Sequence, residues 1–182
     1  MAVILNEDQQ SIKSLVRDFM EGSVKPEIAA YDESGEFPQE LYKQAFELGL
    51  HCLQIPEQYG GAGLDHMSMA VALEEMGRVD PGFAITMLST ALTLTDVLVG
   101  GNDAQKQRAA DIIIPGAHGT FAMTEPNAGS DPAGLSATAV KDGEDYVLNG
   151  VKCFATNGGY ADLYVVIATV DKSLRSKGTV AF

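Results

Sequence analysis

The chain has 182 residues, 46% of them hydrophobic and 20% charged, which is the composition of a water-soluble globular protein and excludes a disordered or collagen-like one. Twelve basic against 25 acidic residues give a net charge of −13, a sign that opposes binding to a phosphate backbone or an anionic lipid surface, so no nucleic-acid partner is expected. The excess is uneven: residues 1–80 hold 15 acids and 5 bases, whereas residues 81–182 hold 10 and 7, so the second half accepts an anionic ligand more readily.

The N-terminus lacks the basic flank and long apolar run of a secretory signal. Cys52 and Cys153 form no C-x-x-C pair and, with the scattered His51, His66 and His118, no zinc set. Both read as inert free thiols, and a reducing, cytoplasmic compartment is the expectation.

The first half reads as helical. Asn6 followed by Gln9 is a capping-box pattern, after which Ile12, Leu15, Val16, Phe19 and Met20 recur at helical spacing. Pro26 is expected to end or kink this helix. A second start falls at Phe37-Pro38, with Leu41, Ala45, Phe46 and Leu48 on one side and Gly49 as the stop. The Gly60, Gly61 and Gly63 cluster follows no strand and lacks the G-x-G-x-x-G spacing, so it reads as a linker turn rather than a dinucleotide fingerprint.

Asp65 can cap a third helix reaching about Gly77, and Asp80-Pro81-Gly82 separates it from the apolar stretch Phe83–Gly101. That stretch contains Asp96 and several hydroxyls, and reads as a buried core helix rather than a membrane span. Asn102 and Gln105 repeat the capping box for one more helix.

After Pro115-Gly116 the pattern changes. Ala137–Lys141 and Tyr146–Leu148 flank the polar turn Asp142-Gly143-Glu144-Asp145 as a hairpin. Asn149-Gly150 marks a second tight turn, leading into Val151-Lys152-Cys153-Phe154, and residues 163–170 and 179–182 complete the β-prone runs. The fold class expected is α+β: an all-α domain over residues 1–117, then the beginning of a β-barrel-like domain over 118–182. The chain stops inside an apolar β-prone run, from which a fragment of a longer protein is expected.

Two stretches carry candidate chemistry. Phe121–Asp131 begins as a strand and breaks into a loop of small residues whose amides, with the hydroxyls of Thr124 and Ser130, suit a heteroaromatic or pyrophosphate ligand; the alternative is a plain strand-to-loop turn. In Lys152–Gly159, Phe154 and Thr156 lie two apart, hence on the same face of a strand, so that the ring could cover a flat ligand and the hydroxyl bond its edge. Core packing of Phe154 is the alternative there.

With Ile55-Pro-Glu-Gln-Tyr-Gly-Gly-Ala-Gly-Leu-Asp65, Met123-Thr-Glu-Pro-Asn-Ala-Gly-Ser-Asp131, Leu148-Asn-Gly-Val-Lys152 and Thr156-Asn-Gly-Gly-Tyr-Ala-Asp162, the chain resembles the acyl-CoA dehydrogenase family of flavoproteins over essentially its whole length. The resemblance implies FAD held by Phe121, Ala122, Met123, Thr124, Glu125, Pro126, Asn127, Ala128, Gly129 and Ser130 on one side and by Phe154, Ala155 and Thr156 on another. It places Thr156 near flavin N5 and Ser130 also against the acyl-CoA substrate.

It further implies α,β-desaturation to a trans-2-enoyl-CoA, an electron-transfer flavoprotein as acceptor, and a homotetramer at full length. The family's catalytic Glu and C-terminal helical domain would lie beyond residue 182, so the fragment alone is expected to be inactive. No local acid takes the role: Glu125 belongs to the loop motif, and Asp96 reads equally as a helix residue bonded to neighbouring hydroxyls. Departures from the family's usual pattern are Phe154, where Trp is common, and Asn127, where Gly is frequent; a short acyl chain is the substrate hint. Flavin oxidases or monooxygenases of the same architecture, and a non-enzymatic binding or assembly module, are the rival readings.

Overall fold

The computed structural model describes residues 4–182. Its first helix starts as the sequence predicts: Asn6 accepts from the Gln9 amide at 2.8 Å while the Gln9 side chain accepts from the Asn6 amide at 3.1 Å, satisfying two donors that helix geometry leaves without partners. This helix, α1 (Glu7–Phe19), then widens into a π-type turn over Met20–Val24, in which the Lys25 amide reaches back five residues to the Met20 carbonyl. Pro26 has no amide hydrogen with which to continue it.

A short helix that periodicity did not indicate, α2 (Ile28–Ser34), buries no residue of its own. In α3 (Gln39–Glu47), Leu41, Tyr42, Ala45 and Phe46 face inward. Leu48 was expected on that face but lies just past the helix and is exposed, because the turn at Gly49 swings Leu50 into the core instead. The glycine cluster closes its own loop: a Cβ on Gly61 would overlap the Ile55 carbonyl.

Asp65 caps α4 (His66–Val79) by accepting from the Ser68 amide at 2.8 Å. Asp80 is a one-residue joint that ends α4 and caps α5 (Pro81–Gly100), with Pro81 in the first turn, where its missing hydrogen bond costs nothing. The second capping box opens α6 (Asp103–Ile113). By length and composition α5 is apolar enough to cross a membrane. In the fold it is the central helix, packed on α4, α6 and the first strand, with nine of its 20 residues buried.

The main core joins Val16, Phe19, Met20, Leu41, Phe46, Met76, Phe83 and Met87 from α1, the π-type turn after it, α3, α4 and α5. Glu75, buried on α4, accepts two hydrogen bonds from the Arg17 guanidinium of α1 (2.6 and 2.9 Å) and one from Arg78 at 3.3 Å.

The strands follow: β1 (Gly119–Ala122), β2 (Thr138–Asp142), β3 (Asp145–Asn149), β4 (Leu163–Thr169) and β5 (Thr179–Ala181). β1 pairs parallel to β4 with Gly119 opposite Leu163, the hairpin β2–β3 pairs Ala139 with Leu148, and β5 runs antiparallel on β4. A single pairing, Thr138 with Thr169, joins the hairpin to β4. The helical first half and mixed sheet give the expected α+β class. A Cβ on Gly119 would stand 2.7 Å from Cβ of Thr93, so β1 lies against α5 closer than any other residue type allows.

Candidate functional site

Where β1 ends, the chain makes a tight turn: the Glu125 amide donates to the Ala128 carbonyl at 3.0 Å and the Ala128 amide returns to Glu125 at 3.1 Å. Side chains therefore split between two sides. Ala122, Glu125 and Ala128 are buried, while Pro126, Asn127, Gly129 and Ser130 are exposed and Phe121, Met123 and Thr124 are half-buried. Of the thirteen residues singled out by resemblance, these three inward ones can offer a ligand only backbone.

Glu125 is structural. Its carboxylate accepts from the Ser136 amide (2.7 Å), the Ser136 hydroxyl (2.6 Å), the Ala137 amide (3.0 Å) and the Lys152 ammonium (2.7 Å). Burial by itself would push the carboxyl up, but Lys152, Ser136 and Ala137 outweigh it and hold it down at about 2. A group so weakly basic is a poor acceptor for a substrate proton.

The second stretch departs from expectation. Residues 151–155 form no strand, so Phe154 and Thr156 are not related by strand alternation. The chain instead crosses the first loop: the Cys153 amide donates to the Thr124 carbonyl at 2.9 Å, and Lys152 Nζ donates to the Met123 carbonyl at 3.0 Å. Phe154 takes a left-handed backbone (φ 56°) and its ring is 94% exposed, which removes the core-packing alternative. The two segments, 29 residues apart at these contacts, thus form one surface.

Its chemistry is mixed. Phe154, Met123 and Phe121 supply apolar surface, and the hydroxyls of Thr124, Ser130 and Thr156 bond no other group among the described residues, nor do the amides of Gly129, Ser130 and Asp131. A flat ring bearing polar edges and an attached anion fits such a set, since apolar side chains cover the ring while free N–H and O–H groups meet its heteroatoms and charge.

Asp96 differs from its sequence reading. The threonine hydroxyls beside it are turned to backbone carbonyls, Thr93 to Ser89 at 2.7 Å and Thr95 to Ala91 at 2.8 Å. Asp96 Oδ2 has no hydrogen-bond partner among the described residues, and burial raises its carboxyl above its ordinary value.

Residues 6–116 match the family model for the acyl-CoA dehydrogenase N-terminal domain, and residues 120–182 match that for the middle domain. The chain belongs to the acyl-CoA dehydrogenase family. It is 38% identical to a short-chain-specific acyl-CoA dehydrogenase from Clostridium acetobutylicum over 98% of this chain and 48% of that protein. Among solved structures, butyryl-CoA dehydrogenase from Megasphaera elsdenii is 37% identical with a TM-score of 0.92, over 100% of this chain and 49% of that one. A glutaryl-CoA dehydrogenase from Mycobacterium smegmatis in complex with FADH2 is 33% identical with a TM-score of 0.89, over 98% and 45%. The chain spans about half the length of the curated relatives it matches.

Sequence reasoning assigned no role to three residues that build this acyl-CoA dehydrogenase surface. Lys152 ties the two segments together, Asn157 anchors the end of the second, and Ser89 reaches both the Gly119 and Thr156 carbonyls, at 3.4 and 3.5 Å. Lys152 alone left a signal, as a lone base set between apolar residues within reach of an acidic motif.

Proposed function

We propose that this chain supplies the N-terminal half of an FAD-dependent acyl-CoA dehydrogenase that converts a short acyl-CoA thioester to its trans-2-enoyl product. The observation that carries the reading is the Cys153 to Thr124 hydrogen bond, which makes one ligand surface from two separate motifs. Thr124 and Thr156 would meet the polar edge of the isoalloxazine, Phe154 would cover its face, and the free amides of Gly129 to Asp131 would meet the pyrophosphate. Bound FAD supplies the two-electron acceptor; the protein's part is to hold ring and thioester in register and to exclude water.

Ser130, exposed at the rim, is assigned to both the cofactor and the acyl-CoA. Removal of the α-proton is assigned to a carboxylate outside residues 1–182, because Glu125 is committed to four internal hydrogen bonds. The 182-residue chain alone is therefore proposed to be inactive. Electrons would leave to an electron-transfer flavoprotein, and the full-length enzyme is proposed to be a cytoplasmic homotetramer.

The test is to purify the full-length polypeptide with FAD and add butyryl-CoA. Bleaching of the flavin with formation of the enoyl-CoA is expected. A polypeptide that stays colourless in excess FAD, or a coloured one that no acyl-CoA bleaches, overturns the reading, as does turnover by residues 1–182 alone for the assignment of the base.

A further inference from the structure

We propose that Asn157 is the positioning residue that sets Thr156 against the flavin, by tying the Thr156 loop to the middle of α5; this rests on the FAD reading above. The Asn157 side chain is buried, and its Nδ2 donates to the Gly119 carbonyl at 2.9 Å, the Thr86 carbonyl at 3.1 Å and the Thr90 hydroxyl oxygen at 3.3 Å. Two hydrogens meet three acceptors, so one is shared. The Thr90 hydroxyl closes the ring, donating to the Thr86 carbonyl at 3.2 Å and accepting from the Gly119 amide at 3.3 Å. Helix, strand and loop thus meet at one amide.

The backbone gives this junction its reach. Phe154 and Asn157 both lie in the left-handed region (φ 56° and 67°), and Ala155 and Thr156 arch between them. One foot of the arch is the Cys153 to Thr124 bond; the other is Asn157, held by its side-chain amide and by its backbone carbonyl, which accepts from the Tyr160 and Ala161 amides at 2.8 Å each. Left-handed backbone in a non-glycine residue persists where its surroundings hold it, and Asn tolerates it best because its short amide can bond locally. The Thr156 hydroxyl bonds no other group among the described residues, so its place is fixed by the two feet and by the Ser89 hydroxyl, which donates to the Thr156 carbonyl at 3.5 Å. Gln, Ser or Asp at 157 cannot present the same donor pair to two carbonyls at that reach.

The experiment uses Asn157→Gly and Asn157→Asp in the full-length polypeptide, since Gly and Asp both accept the left-handed backbone while each lacks the donor. Three readouts are taken: amide hydrogen exchange of the apo protein, FAD affinity, and the visible spectrum and reduction potential of the flavin-loaded protein. Expected are exchange at least tenfold faster at residues 155–160 with α5 unchanged, FAD binding about tenfold weaker, and a shifted flavin band in both variants. Thr90→Val, which removes one acceptor of three, is expected to give a smaller shift of the same sign.

A purely structural role predicts a lower melting temperature with the wild-type spectrum and potential in whatever fraction binds FAD, and that result overturns the proposal. Unchanged exchange at 155–160 in Asn157→Gly overturns it too. Should one variant fail to fold, the other and Thr90→Val decide by the same readouts. A colourless wild-type protein overturns the FAD reading and this inference together, whereas a coloured wild type with indifferent variants overturns this inference alone.

Discussion

Lys152 Nζ stands 2.7 Å from Glu125 Oε1 and 3.0 Å from the Met123 carbonyl, so one ammonium closes both the buried carboxylate and the loop that carries Thr124. The Glu125 carboxyl is held at about 2 against an ordinary 4.5. Being depressed, it contributes stability that is complete above the ordinary value and is lost as pH falls through the folded one. That gap corresponds to about 3 kcal/mol as an upper figure. Glu125→Gln is expected to cost about 2–3 kcal/mol near neutral pH and roughly half as much at about pH 3. Urea unfolding of wild type and variant at the two pH values measures it; equal cost at both would remove Glu125 as the acid-sensitive group.

The helical half has a second buried carboxylate, with a different outcome expected. Glu75 is depressed below its ordinary value, first by the hydrogen bonds from Arg17, against the opposing effect of burial. Its partners Arg17 and Arg78 are about half exposed, at 49% and 46%, so water can satisfy them if the acid is lost. Glu75→Gln is therefore expected to cost about 1–2 kcal/mol, less than breaking a fully buried pair. Its signature is local: hydrogen exchange should speed up in α1, which Glu75 binds to α4, more than in α5. A uniform change across the three helices would contradict this.

What could be read from sequence was local, and what could not was long-range. Asn6, Asp65 and Asn102 each signal a helix start because a cap and its target lie three residues apart, and all three act as caps. The π-type turn at Met20–Val24 left no such mark, because its apolar residues continue the periodicity of α1. At the site, the residues 151–155 look like a strand by composition, yet contacts to Met123, Thr124 and Glu125, 27 to 29 residues earlier, pull them across a loop instead. The partners of Asn157 lie 38 to 71 residues away, so no local pattern could announce its role.

His118 offers a test of acid sensitivity from the opposite kind of group. Its ring is buried, neither nitrogen has a hydrogen-bond partner among the described residues, and Phe37, Tyr42 and Phe46 meet it edge-on with centroids 5.3, 5.4 and 4.9 Å away. Burial lowers its pKa from the ordinary 6.5, with nearby His51 adding to this and Asp162 opposing it. The unfolded chain then binds the proton more readily than the folded one, so stability falls as pH drops below about 6.5. His118→Phe keeps an aromatic ring and removes the titration. The variant is expected to lose less stability than wild type between about pH 7.5 and 5.5. Part of the slope should remain, because His51 is also lowered by burial; identical slopes would exclude His118 as a source.

Phe154 separates stability from function. Its ring is 94% exposed and its backbone is left-handed, a conformation that costs a non-glycine residue roughly 1–2 kcal/mol. Phe154→Ala keeps that cost and loses almost no packing, so the apo protein should change by less than about 0.5 kcal/mol. Phe154→Gly removes the strain at some cost in unfolded-chain entropy, and should be more stable than the Ala variant by about 0.5–1 kcal/mol. If the ring covers a flavin, both variants bind FAD more weakly by a similar factor, about tenfold for loss of one aromatic face. Equilibrium unfolding of the apo proteins and FAD titration of the full-length variants measure the two effects independently. A ring that served only the fold would give the reverse: stability lost in both variants and FAD affinity untouched.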